Sequence, residues 1–363
     1  MNKSKFSHGG DIWQVSEKYK IPPDKILDFS TNVNPWGKFS GVVDVIKKNI
    51  REIFHYPDPE CRKLTFKLSE FLKLERENIV VGNGATEIIY LLMMSLRPYQ
   101  VVIPVPTFTE YEHALRLSGG KAKFLFLKEK SDFTLDVDEL IKKVKDSQMV
   151  IICNPNNPTG GVLDQSKMQK IVDKAEKMGK FVVVDESFID FCPQESIINS
   201  IKKHQNLFIL RSFTKFFSIA GLRLGYGIGS KEVIAKIKSV KLPWMVNSLA
   251  EIAGVAILEN MEKFKELRQR IEKERAFLYK NLSKINAVKP YPSITNFILV
   301  RIKASFSSSH LANEMAKRGI LIRDCSNFTG LSDKFFRIAV RKREENKKLI
   351  FNLKQILGAN FDY

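Results

Sequence analysis

Leu207-Phe208-Ile209-Leu210-Arg211-Ser212-Phe213-Thr214-Lys215 is a short apolar run that ends among two hydroxyls and a lysine, and Gly221-Leu222-Arg223-Leu224-Gly225-Tyr226 follows closely behind it. A run of this length bounded by polar residues reads as a buried strand over 207–212, with a second strand over 224–228. Similar runs rich in β-branched residues precede it at 79–81, 101–104, 123–127, 149–153 and 181–185. Between most of them lie amphipathic segments with helical spacing, such as 86–96 and 165–178. Strand and helix in alternation build a mostly parallel sheet covered on both faces. The expectation is therefore an α/β fold with a large domain over 39–243, an N-terminal arm over 1–38, and a smaller α/β domain over 244–363. Within the last, a long charged helical stretch covers 248–284, strands cover 295–302 and 335–340, and a helix lies near 310–318.

With 363 residues and 44% hydrophobic composition, the chain is long enough for a sizeable core divided between lobes. No apolar run approaches the roughly 20 residues that span a bilayer, and 1–10 lacks a signal-peptide pattern, so the cytoplasm is the expected location and no membrane partner is expected. Cys61, Cys153, Cys192 and Cys325 are scattered, with no CxxC pair, which indicates neither a zinc site nor a disulfide framework. A formal charge of +19 invites a nucleic-acid reading. The excess, however, is lysine spread along helical stretches and alternating with Glu or apolar residues, as in 142–145 and 342–348. That pattern describes a solvated basic surface, and no nucleic-acid partner is expected.

Ligand sites in open parallel sheets lie beyond the carboxyl ends of the strands, and four motifs fall there. Gly82-Asn83-Gly84-Ala85-Thr86-Glu87 follows a strand and opens a helix, so its amides and the Thr86 hydroxyl can face a phosphate at the positive helix end. Alone it is also an ordinary tight connection, without the Walker or dinucleotide glycine spacing. Asn154-Pro155-Asn156-Asn157-Pro158-Thr159-Gly160 is a turn with more constraints than a plain turn needs. Asp185-Glu186-Ser187-Phe188 sets a carboxylate at a strand end, where burial demands a cationic partner such as a protonated ring nitrogen. The last motif is the opening one, with Lys215 as an amine nucleophile and Arg223 close behind. Each residue has a plain structural reading, a solvated lysine or a structural ion pair. Together they offer phosphate donors, an acid, a side-chain amide and an amine, the set that one cofactor requires.

On these motifs the chain resembles the fold-type I pyridoxal-phosphate enzymes of the class I/II aminotransferase group over nearly its whole length. The resemblance implies pyridoxal 5'-phosphate as cofactor, Lys215 as its Schiff-base lysine, Asp185 on the pyridine nitrogen, Asn157 near the ring hydroxyl and Phe108 on the ring face. It implies a phosphate site made by Gly84, Ala85, Thr86, Ser212, Thr214 and Arg223, and a homodimer in which Tyr56 reaches the neighbouring subunit's cofactor phosphate. Two subfamilies compete, histidinol-phosphate aminotransferases and threonine-phosphate decarboxylases of cobalamin biosynthesis, both taking a phosphorylated substrate. His8-Gly9-Gly10, Asp28-Phe29-Ser30-Thr31-Asn32-Val33-Asn34-Pro35, His55-Tyr56-Pro57-Asp58-Pro59, Pro106-Thr107-Phe108-Thr109-Glu110-Tyr111 and Arg323-Asp324-Cys325-Ser326-Asn327-Phe328 resemble the decarboxylases more closely. The aminotransferases usually carry tyrosine where Phe188 stands here. What this resemblance implies for the substrate is a carboxylate at Arg337, with Asn157 beside it, and a phosphate received by Arg323, His8, Gly9 and Asn32. Decarboxylation of phosphoserine is a third reading, because one methyl group gives only roughly 1 to 3 kcal/mol of discrimination.

Overall fold

The computed structural model describes residues 8–37 and 40–358, so the expected domain start at Phe39 lies outside the described residues. Strands β1 (Ile79–Asn83), β2 (Gln100–Val105), β3 (Lys121–Phe126), β4 (Met149–Cys153), β5 (Phe181–Asp185), β6 (Leu207–Ser212) and β7 (Leu224–Ile228) form one sheet in the order β1-β7-β6-β5-β4-β2-β3. Only β7 runs against its neighbours, β1 and β6; the other pairings are parallel. Successive side chains of a strand point to opposite faces, and both faces are covered. Val150, Ile152, Val182, Val184, Leu207 and Ile209 enter one core, while Met149, Ile151, Val183, Phe208 and Leu210 enter the other. Burial on both faces explains why these strands read as unbroken apolar runs.

Helices seal each face through stripes at helical spacing. In Gln165–Lys177, Met168, Ile171, Val172 and Ala175 are buried, and Asp164 caps the start by accepting the amide of Lys167. The helical stretch expected over 248–284 is instead two helices, Ser248–Leu258 and Lys265–Leu282, separated by the short turn Met261–Phe264. At the break the side-chain amide of Asn260 donates back to the carbonyl of Ala256 at 2.8 Å, a local bond that competes with continuing the helix. Ala250, Ala253 and Ile257 of the first helix pack into the core of the large sheet. The second helix bridges the lobes, with Leu267 and Ile271 in that core and Leu278 and Leu282 in the next. The packing therefore passes from lobe to lobe within this helix, beyond the 243/244 boundary read from the sequence.

The smaller lobe is an antiparallel sheet of β8 (Val288–Pro290), β9 (Phe297–Ile302), β10 (Arg323–Asp324) and β11 (Phe335–Ala339), in the order β10-β11-β9-β8. Helices Ser308–Ala316 and Arg343–Gly358 cover it through Leu311, Met315, Leu349 and Leu353. The N-terminal segment joins this lobe: Leu27 and Asp28 pair in parallel with Ile320 and Leu321, and Phe29 is fully buried in its core. From there the chain crosses to the large lobe, where the Asn34 amide donates to the carbonyl of Lys215 at 3.0 Å. No helix among the described residues is long and apolar enough to cross a membrane.

Candidate active site

Strand register brings the motifs to one edge of the large sheet. Asn83 pairs with Leu224, Ser212 with Gly225, Leu210 with Asp185, and Asp185 with Cys153. The residues just beyond these pairs, together with the N-terminal segment and the smaller lobe, enclose a cavity of about 480 Å³. Lining it are His8, Gly9, Asn32, Ala85, Thr86, Phe108, Asn157, Asp185, Ser212, Thr214, Lys215, Arg223, Arg323 and Arg337, drawn from positions more than 300 residues apart. Gly84 stands directly behind Arg223: its φ is +79°, and a Cβ there would lie 2.7 Å from an arginine nitrogen. Only glycine adopts that backbone at little cost while letting the guanidinium approach the helix start. Gly225 has a similar role, since a Cβ would lie 2.4 Å from the Ala85 amide nitrogen. Tyr56 does not join the group. It is 81% exposed and rests on Trp244, with ring centroids 4.8 Å apart.

Asp185 is nearly fully buried, accepting the hydroxyl of Tyr111 at 2.6 Å and the backbone amide of Ser187 at 2.8 Å. Burial nevertheless pushes its carboxyl above the ordinary range, against those bonds and the charge of Lys215. The adjacent Glu186 is also buried but fully occupied, by Arg211 at 2.8 Å, the Ser196 hydroxyl and the Ile197 amide. Of the two neighbouring acids, one belongs to the scaffold and the other faces the cavity. Burial, helped by the charges of Arg337 and Arg223 and opposed by Asp185, pushes the Lys215 amine down to about 8. A neutral amine is the form that attacks a carbonyl.

Groups able to hold an anion gather at the start of the helix Gly84–Leu96, where the Ser212 and Thr214 hydroxyls stand 2.7 Å apart and Arg223 closes the side. The opposite wall carries two more guanidiniums. Arg323 of β10 pairs directly with Arg337 of β11, so both side chains leave the same face of the small sheet. Both are buried. Arg337 donates to Asn157 Oδ1 and, at 2.8 Å, to the Ser30 carbonyl, while its Nε has no protein partner. Arg323 donates to Asn327 at 2.8 Å and lies 5.2 Å from the Phe328 ring centroid. Burial pushes the Arg337 guanidinium down to about 10, and Arg323 likewise below its ordinary value. Asn32 Oδ1, also at the cavity, is buried without a protein partner.

The sequence alone assigned no site role to Glu110, Tyr111, Ser30, Cys153, Ser187 or Phe328, although all but Cys153 stand in quoted motif segments. Glu110 starts the helix Glu110–Leu117 and accepts His8 Nε2 at 2.9 Å and the Tyr90 hydroxyl at 2.5 Å. Burial opposes its ionisation, but the bonds from His8 and Tyr90, with the charges of His8 and His113, together hold the carboxyl below the ordinary range. A carboxylate two residues after Phe108 at a helix start was the available signal.

The family model for aminotransferases of class I and II matches residues 24–353. The chain is 33% identical over 353 residues to threonine-phosphate decarboxylase of Salmonella typhimurium, covering 97% of this chain and 96% of that protein. It is 34% identical over 350 residues to histidinol-phosphate aminotransferase of Methanococcus aeolicus, covering 95% and 94%. The solved histidinol-phosphate aminotransferase of Clostridium acetobutylicum superposes with a TM-score of 0.85 at 37% identity, covering 92% of this chain and 100% of that one. With the fold, the strand-end cavity and the sequence match in agreement, the chain belongs to the class I and II aminotransferase family, whose enzymes depend on pyridoxal 5'-phosphate.

Proposed function

We propose that the protein decarboxylates L-threonine O-3-phosphate to (R)-1-aminopropan-2-ol O-2-phosphate and CO₂, as a cytoplasmic homodimer serving cobalamin biosynthesis. The residues fit the cofactor: a helix start relieved of side chains at Gly84, hydroxyls at Thr86, Ser212 and Thr214, a guanidinium at Arg223, a buried acid at Asp185 and an amine at Lys215. When bound, pyridoxal phosphate supplies an electron sink for the pair released as a bond to the substrate α-carbon breaks.

The observation that carries the substrate assignment is the cross-strand pairing of Arg323 with Arg337. Two guanidiniums at paired positions on one face of a sheet concentrate positive charge, which suits a substrate with two anionic groups. Threonine phosphate brings a carboxylate and a phosphate in one molecule, whereas histidinol phosphate brings only the phosphate and the aminotransferase would meet a second anion only in its 2-oxo acid. In this reading Arg337, held by Asn157 and Ser30, takes the carboxylate; Arg323 takes the phosphate with His8, Gly9 and Asn32. With the cofactor bound, Asp185 would keep a proton on the ring nitrogen, Phe108 would stack on the ring, and Asn157 would lie beside the ring hydroxyl. Phe108, Phe188 and Phe328 exclude water from the wall. Arg337 would fix the direction of the carboxylate, and with it which bond to the α-carbon is set to break. Once CO₂ has left, Lys215 returns a proton to the same carbon.

A second reading, histidinol-phosphate aminotransferase, has its own support in the relatives and the solved structure that bear that name. Product analysis separates the two. Protein loaded with cofactor is incubated with threonine phosphate, serine phosphate, or histidinol phosphate plus 2-oxoglutarate, and CO₂ and glutamate are followed together. CO₂ and aminopropanol phosphate from threonine phosphate support the proposal. Glutamate formed from histidinol phosphate, without CO₂ from either phospho-amino acid, overturns it in favour of the aminotransferase.

A further inference from the structure

Tyr111 touches both the acid assigned to the ring nitrogen and the aromatic ring assigned to stack on the cofactor in the reading above, without itself lining the cavity. Its side chain is completely buried. Its hydroxyl lies 2.6 Å from Asp185 Oδ2, and its ring meets Phe108 edge-on, with centroids 5.6 Å apart at 82°. Asp185 is otherwise held by Ser187, whose backbone amide donates to Oδ1 at 2.8 Å and whose side chain also bonds the carboxylate. The tyrosine sits on the second residue of the helix Glu110–Leu117, 74 positions from Asp185, so a change in the seating of that helix moves acid and stacking ring together.

We propose that Tyr111 is a positioning residue that fixes the direction and charge of Asp185 through its hydroxyl and the tilt of Phe108 through its ring edge. The proposal rests on the assignment of Asp185 to the ring nitrogen. A buried carboxylate with one donor fewer is a stronger base, and it competes harder for the proton it shares with a ring nitrogen. Burial already pushes the Asp185 carboxyl upward, so the Tyr111 hydroxyl opposes that drift. The hydroxyl is itself pushed well above the ordinary tyrosine range by burial and by the Asp185 charge, so it remains a donor throughout the working pH range.

The test uses Tyr111→Phe, which keeps the ring and its contact with Phe108 and removes only the hydroxyl, alongside Asp185→Asn and the double variant. Three quantities are read: the dissociation constant for pyridoxal phosphate, the visible absorbance of the bound cofactor across pH, and kcat and KM separately. Tyr111→Phe is expected to weaken cofactor binding and lower kcat by roughly tenfold each, the size of a hydrogen bond to a charged group, with KM little changed. In the Asp185→Asn background the same substitution is expected to change cofactor affinity by less than about twofold, because no shared proton remains. A Tyr111→Phe protein that melts earlier but keeps the wild-type cofactor affinity and spectrum overturns the positioning role, as does an undiminished effect in the double variant. If Asp185→Asn alone leaves affinity and spectrum unchanged, the assignment of Asp185 fails instead. Should Tyr111→Phe not fold, the comparison of Asp185→Asn with the double variant still decides: a large difference in affinity refutes action through Asp185.

Discussion

The backbone amide of Asn34 donates to the carbonyl of Lys215 at 3.0 Å, which ties the N-terminal segment to the loop that presents the amine. The Asn34 side chain adds to the tie: its amide donates to the Phe216 carbonyl at 2.9 Å, and its oxygen accepts the Trp36 amide at 2.9 Å. The Ser218 hydroxyl donates to the Asn34 carbonyl from the other side. Asn34→Ala therefore leaves a buried carbonyl and a neighbouring amide short of partners, and the expected loss of stability is roughly 1 to 3 kcal/mol. Because the loop carries Lys215, the variant should also release cofactor faster than wild type. Denaturant unfolding and the decay of cofactor absorbance on dilution check the two effects; an Asn34→Ala protein unchanged in both would show the tie to be incidental.

Lys215 gives a pH signature in the cofactor-free protein. Burial and its arginine neighbours push the amine down to about 8, while the unfolded chain carries it near the ordinary lysine value. The folded state then binds fewer protons than the unfolded state between those two pKa values, so stability rises with pH across the window. The cost of burying the charged amine is present in full below about pH 8 and is relieved as the pH approaches roughly 10.5, amounting to no more than about 3 kcal/mol. Lys215→Met removes the titrating group. Its unfolding free energy is expected to exceed that of the wild type at neutral pH and to lack the rise at alkaline pH. Equal slopes in the two proteins would contradict this origin.

The strands of the large sheet were legible because burial on both faces demands continuous apolar runs, and runs such as Val150-Ile151-Ile152 and Val182-Val183-Val184 announce themselves. Residues such as Asp185, Lys215 and Arg223 could be singled out for the same reason, as polar groups at the ends of such runs. Other relationships depend on partners distant in the chain. Nothing local to Tyr111 indicates that its hydroxyl meets a carboxylate 74 positions away, nor does Glu110 advertise His8. The two-residue strand Arg323–Asp324 is too short to leave a periodic signal, yet its register is what sets Arg323 beside Arg337. The helix break near Asn260 turns on one side-chain bond within an otherwise helical composition.

Arg323 and Arg337 are expected to fail differently. Arg337 is fastened by Asn157 and the Ser30 carbonyl, so Arg337→Gln loosens the contact between lobes as well as removing a charge. Arg323→Gln removes charge from the phosphate end of the proposed site, together with the bond to Asn327 within the same lobe. Truncating one partner of a desolvated ion pair typically costs about 2 to 5 kcal/mol, so kcat/KM for threonine phosphate should fall roughly thirtyfold or more in either variant. The distinguishing measurement uses threonine without its phosphate. In Arg323→Gln the preference for the phosphorylated substrate should collapse, whereas in Arg337→Gln it should persist at lower overall activity with a lower melting temperature. Retention of the phosphate preference in Arg323→Gln would move the phosphate site elsewhere.

Tyr56, a proposed cofactor contact, stands on the surface away from the cavity, and its surroundings bear on how it would matter. It is 81% exposed, stacked on Trp244, and accompanied by Ile53, Phe54 and Leu242, all exposed large apolar side chains. Exposed apolar side chains next in sequence to both members of the Tyr56–Trp244 pair suit a contact face, and in the proposed homodimer Tyr56 would reach the partner's cavity. Phe54→Asp places a charge in that face without touching the cavity. It is expected to give a monomer in sedimentation equilibrium and to weaken cofactor retention as a consequence. Tyr56→Phe keeps the stack on Trp244, so the dimer should survive, but it removes the hydroxyl offered to the cofactor phosphate. Its cofactor affinity should fall by roughly tenfold, the size of one hydrogen bond to a charged group. If Phe54→Asp sediments like wild type, the apolar face does not join subunits. If it becomes monomeric yet keeps its cofactor affinity, Tyr56 contributes nothing across the interface.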